Sequence, residues 1–137
     1  MKKLLFALIP FTYLLLLLFQ KDLSMFGDLG RHLKLGEIIV NCRCVPQTNL
    51  FSYTHSDFSI VNHEWLTEVV FYVISSWFGL HGLLVLKMAL VITTVFLLYA
   101  TALKRGSLFW VTVFSILSIT IFSTRFHVLP ELFSYLF

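Results

Sequence analysis

Charge is what this sequence lacks most. Only 12% of its 137 residues are Asp, Glu, Lys or Arg, while 58% are hydrophobic. Soluble domains carry roughly 25% charge and about 45–50% apolar residues. That deficit, with a mean hydropathy of +0.89, excludes an ordinary water-facing shell and predicts a membrane protein. The ten basic residues outnumber the seven acidic ones, but they stand singly or in pairs. No Lys/Arg-rich face forms, which excludes a nucleic-acid surface. A Gly-rich phosphate loop, a nucleophile elbow and a CxxC pair are all absent. So are internal repeats and low-complexity linkers. The two cysteines, Cys42 and Cys44, have one residue between them. That spacing suits neither a relaxed disulfide nor a complete zinc site, so free thiols are expected.

What charge there is collects in one stretch. Phe26–Glu68 holds five of the seven acidic residues and three of the five histidines. It opens with Gly-Asp-Leu-Gly-Arg-His-Leu-Lys-Leu-Gly-Glu (27–37) and closes with Asn-His-Glu-Trp-Leu-Thr-Glu (62–68). Any chemistry is expected there, between apolar runs.

In chain order, Met1-Lys2-Lys3 precedes a 16-residue apolar run, Leu4–Phe19, without a small-x-small cleavage site behind it. This predicts an uncleaved first membrane span over 4–20, with its N-terminus in the cytoplasm and Pro10 inside it. Residues 21–82 form a long outer loop. Within it, Asp28–Leu35 reads as a short helix stopped by Gly36. Phe51–Thr54 and Phe58–Val61 read as two extended runs of a small hairpin around His55-Ser-Asp57. Asn62 is a good N-cap for a helix from His63 to about Phe78. Glu64, Thr67, Glu68 and Ser75 line one stripe of that helix, which is too short to span and is expected to lie in the interface. Leu83–Leu103 is a second span of 21 residues, with Lys87 one turn inside and able to snorkel. It places Lys104-Arg105 in the cytoplasm, as the positive-inside rule requires. A third span covers 107–123, and 131–137 begins a fourth. The expected fold is an all-α polytopic membrane protein, one membrane domain over 1–137 and a fragment of something longer.

Asp28 is the candidate general base, since a carboxylate at the outer face can take the proton of an attacking hydroxyl. Its plainer reading is a helix cap or a surface partner of Arg31. Arg31 and His32 are candidates for contacting a phosphate leaving group, or equally lipid head groups. His63 and Glu64 could place a histidine and a second carboxylate opposite Asp28. Otherwise Glu64 simply favours a positive helix N-terminus. These two are adjacent rather than four apart, so they form no zinc-helix motif. Arg125, with His127 and Glu131, could contribute from a second outer segment, or merely flank a span.

The run of motifs 27–37, Val-Pro-Gln-Thr-Asn-Leu-Phe-Ser-Tyr-Thr (45–54), His-Glu-Trp-Leu-Thr-Glu-Val (63–69) and Arg-Phe-His-Val-Leu-Pro-Glu-Leu-Phe-Ser (125–134) resembles the N-terminal part of bacterial integral-membrane glycosyltransferases of the GT-C superfamily. These are relatives of the lipid-phosphate-sugar-dependent mannosyltransferases. The resemblance implies a polyprenyl-phosphate sugar donor, an acceptor hydroxyl and the bacterial inner membrane. It also implies a missing C-terminal region without which the chain is inactive, and Asp28 as the catalytic carboxylate. It leaves a divalent metal open and assigns no ligands for one. Membrane lipids are the other expected partners. A non-catalytic subunit that lends its outer loop to a membrane partner is the alternative. A transporter fragment ranks behind both, because only Lys87 lies within a span.

Overall fold

Long apolar runs broken only by isolated glycines and a basic turn fold as helices. The computed structural model, which describes residues 2–18, 28–55, 58–123, 128 and 130–135 (with side chains from residue 6), is all-helical. Helix accounts for 75% of it, with no strands among the described residues. Five helices follow in order: α1 (Lys2–Leu18), α2 (Leu29–Cys42), α3 (Trp65–Leu103), α4 (Leu108–Phe122) and α5 (Glu131–Ser134). The chain forms two units, Met25–Leu83, and Met1–Ser24 with Leu84–Phe137.

In the first of these, α2 is longer than the sequence suggests. Gly36 does not stop it; the helix runs on to Cys42 and ends at Arg43, in the left-handed region with φ 53°. Gly36 is there for another reason. A β-carbon at this position would overlap the Glu68 carbonyl oxygen and stand 2.8 Å from Tyr72 Cβ. Glycine lets the backbones of α2 and α3 meet. The buried face of α2 is accordingly Leu29, His32, Leu35, Gly36 and Ile39, a helical stripe that takes in His32 and leaves Leu33 half-buried.

The left-handed turn at Arg43 also revises the expectation for the cysteines. It folds the chain back so that the Cys42 and Cys44 Cα atoms are 5.2 Å apart, and the two are joined as a disulfide. That separation lies inside the usual range for the bond. An extended Cys-x-Cys would not reach it.

The expected hairpin is paired differently. Residues 58–60 do lie antiparallel to a partner, but the partner is 47–49: Asn49 N donates to Phe58 O at 3.0 Å and Ile60 N to Gln47 O at 2.8 Å. A single bridge, Thr48 to Ser59, results. Phe51–Thr54 is turn and bend rather than strand, entered through a Ser52 N to Asn49 O bond of 3.3 Å.

Gly79 breaks α3, with φ 64° and ψ −163°. The helix expected over His63–Phe78 thus begins at Trp65 and stops at this break, and a second piece continues to Leu103. At 1.5 Å per residue the first piece is about 21 Å long and the second about 36 Å. Trp65–Leu103 is, among the described residues, the one helix long and apolar enough to cross a membrane. The apolar helices α1 and α4, with 17 and 15 residues, fall short of the roughly 30 Å hydrocarbon core. The extension of α1 toward Phe26 lies outside the described residues, as does the stretch after Tyr135.

The second unit packs α1, the later part of α3, α4 and α5 around Leu14, Leu18, Val91, Ile119 and Leu132. Few polar pairs stitch it: Tyr13 Oη with Thr120 Oγ1 at 2.9 Å and Tyr99 Oη with Thr112 Oγ1 at 3.1 Å. Phe11 meets Tyr99 edge-on at 5.4 Å. Lys87, expected to snorkel outward, is instead buried at 4% exposure. Large apolar side chains such as Leu16, Leu98, Phe114 and Ile121 stay exposed, the pattern of a surface meant for lipid or further helices.

Two glycines of α2 should answer oppositely to alanine. A β-carbon added at Gly30 meets nothing within 4 Å, so Gly30→Ala should stabilise α2 by up to about 1 kcal/mol. Gly36→Ala should cost about 1–3 kcal/mol by overpacking. Hydrogen exchange of the α2 amides reads both, and equal protection in the two variants would contradict the close approach.

Candidate functional site

Two groups of ionisable residues in the Met25–Leu83 unit involve the first turns of α2. The first stands at its start. Asp28 precedes the helix at the N-cap position but makes no side-chain cap bond. Its carboxylate is bound instead by Arg31 Nη2 at 3.3 Å, with the two side chains 60% and 41% exposed. Such an exposed, long pair contributes at most about 1 kcal/mol, so either member is readily released to another partner. A similar pair, Lys34 with Glu37 at 2.8 Å, stands further along.

The second group is buried. His32, one residue after Arg31, turns inward and is 2% exposed. Its Nδ1 donates to Glu68 Oε1 at 3.0 Å, and Glu64 Oε2 is 3.8 Å from the same nitrogen. Glu68 is 1% exposed. Its other oxygen, Oε2, accepts from Asn62 Nδ2 at 2.6 Å. Asn62 does double duty, because its Oδ1 accepts from Glu64 N at 3.0 Å and so fixes the turn that leads into α3. Glu64 is about half exposed. The ligand-capable atoms of His32, Glu64 and Glu68 all lie within 4.8 Å of one another. Among the described residues this is the group able to hold a metal ion.

The sequence candidates therefore separate. Asp28 and Arg31 are together and face outward. His32 is withdrawn from phosphate contact by its burial and its bond to Glu68. Glu64 joins His32 rather than standing opposite Asp28, and His63 is exposed beside it. Arg125 and His127 lie outside the described residues. Glu131 opens α5, with Tyr135 Oη 3.5 Å from its Oε2. Sequence reasoning missed Glu68 as a site residue. The signal was present: Glu64 and Glu68 are four apart on one helical stripe, the spacing that puts two side chains side by side. What the sequence did not show was the histidine coming from another helix.

A cavity of about 630 Å³ lies in the other unit, lined by apolar side chains including Val95, Leu98, Trp110, Phe114 and Ile119. None of the candidate residues lines it. Compared with protein-family models, curated proteins and solved structures, the chain matches none of them.

The buried group should carry the stability of its unit. Glu68→Ala would leave His32 and Asn62 without their shared acceptor, and breaking a buried pair costs about 3–5 kcal/mol. Glu64→Ala, at the exposed rim, should cost under about 1 kcal/mol. Amide exchange on α2 and the start of α3 measures this. Similar losses for the two variants would refute the assignment of Glu68 as the central acceptor.

Proposed function

We propose that this chain is the N-terminal part of a membrane glycosyltransferase that moves a sugar from a polyprenyl-phosphate donor to an acceptor hydroxyl. In this reading it works at the outer face of a bacterial inner membrane. It crosses that membrane several times, with its N-terminus and the exposed Lys104-Arg105 turn in the cytoplasm, and needs further chain to be active. The observation that carries the reading is the placement of Asp28 and Arg31. A carboxylate and a guanidinium share the exposed first turn of a helix, and that helix is anchored from below by the buried His32–Glu68 contact. The motif resemblance over 27–37, 45–54, 63–69 and 125–134 supports it, as do the apolar helices on either side.

The chemistry follows from the weakness of the ion pair. A donor phosphate competes with Asp28 for Arg31, whose planar fork suits phosphate oxygens. Asp28, released, accepts the proton of the acceptor hydroxyl. The hydroxyl oxygen attacks the anomeric carbon as the bond from that carbon to the phosphate oxygen breaks, and the electron pair leaves with the phosphate. Attack from the opposite face inverts the anomeric centre. Phosphate is a good leaving group, so no strong general acid is needed.

The decisive experiment uses the product of the reading frame extended beyond codon 137, assayed for sugar transfer. Asp28→Asn should lower turnover by about 10²–10⁴-fold with the protein still folded, and Arg31→Gln should weaken donor binding. Turnover preserved in Asp28→Asn would refute the role.

A further inference from the structure

We propose that His32, Glu64 and Glu68 bind one divalent cation of borderline hardness, Mn2+ or Zn2+. The site goes beyond sugar transfer and does not depend on it, since no step above uses a cation.

The donor set comes first. One imidazole nitrogen and two carboxylate oxygens, drawn from two helices, converge within 4.8 Å. Donors sharing an ion at about 2.0–2.2 Å sit roughly 3–3.5 Å apart. His32 Nδ1 and Glu68 Oε1 already have that spacing at 3.0 Å, and Glu64 Oε2, 3.8 Å from the same nitrogen and within 4.8 Å of both, reaches it by an inward swing of its half-exposed side chain. An ion would take the place of the proton now shared by Nδ1 and Oε1. Imidazole with carboxylates suits Mn2+ or Zn2+ better than Mg2+ or Ca2+, which prefer oxygen alone.

Charge balance is the second argument. Among the described residues, the ion pairs of Glu64 and Glu68 go to His32 alone. An imidazolium neutralises one of the two carboxylates, whereas a divalent cation neutralises both. Glu68, at 1% exposure, gains most from that.

The third observation is the outer support. Asn62 holds the Glu68 oxygen that faces away from His32, leaving Oε1 for the ion. Through its carbonyl it also fixes the turn that carries Glu64. One side chain thus orients both acidic ligands, the kind of bracing that metal sites show. The half-exposed Glu64 forms the open side, where an ion enters and keeps bound water.

The test is a titration of the chelator-stripped full chain in detergent with Zn2+ by calorimetry and with Mn2+ by electron paramagnetic resonance. About one ion per chain is expected, with an imidazole nitrogen coupled to bound Mn2+. Glu64→Gln, at the exposed rim where folding is least affected, should weaken binding at least tenfold. Asn62→Ala should weaken it about 10–100-fold, and His63→Ala, the exposed neighbour, should change nothing. Circular dichroism confirms that each variant is folded. Failure of wild-type chain to bind either ion, binding undiminished in Glu64→Gln, or binding lost only in His63→Ala would each overturn the site. Because the readout is metal binding, none of these outcomes bears on sugar transfer.

Discussion

The Met25–Leu83 unit depends on a buried carboxylate. Glu68 is withdrawn from water, which is costly unless its oxygens are satisfied and its charge is answered. Both conditions are met, by one residue far away in sequence and one nearby. Asn62, six residues before Glu68, answers one oxygen, and His32 answers the other, which it reaches only because α2 lies directly on α3. Gly36 permits that approach because it carries no side chain where the Glu68 carbonyl passes. The same carboxylate side chain and the same backbone carbonyl thus set the distance between the two helices twice over, once by hydrogen bond and once by steric contact.

This arrangement gives α2 two different faces at nearly the same height. Arg31 and His32 are neighbours, yet one points to solvent and the other into the helix pair. The inner face is held by the bonds of His32 and Asn62 to the buried Glu68 carboxylate. The outer face, Asp28 with Arg31, is held only by a weak exposed pair. A firm base under an adaptable polar surface is what a binding or catalytic group requires. The other unit works by different means. Its core is aliphatic, its few hydroxyl pairs join helices at single points, and much of its apolar surface remains uncovered.

Much of the helical layout was legible in the residues. Apolar runs, the end of a helix before Gly79 and the turn at Lys104-Arg105-Gly106 are all local features, and each was placed within a few residues; Asn62, expected as an N-cap, stands in the turn ahead of α3 instead. The errors share a cause. Gly36 read as a stop because glycine commonly ends helices, but here close packing, not the backbone angle, demands it. Cys42 and Cys44 read as free thiols because the left-handed turn at Arg43 was not foreseen. Residues 58–60 were correctly extended but given the wrong partner. Phe51–Thr54 looks as strand-like as Gln47–Asn49, and only the turn at Asn49 settles which of them pairs.

The sequence alone determined that the chain is apolar, helical and charged mainly in one stretch, since composition and periodicity are properties of neighbours along the chain. It also marked Asp28, Arg31, His32, His63 and Glu64, and Arg125 outside the described residues, as the side chains with chemistry to offer. Only the tertiary structure decided which of them face water and which are buried. It also decided that Glu68, 36 residues from His32, completes the cluster. A contact of that range depends on which helix faces meet and how closely, and no spacing within either helix encodes it.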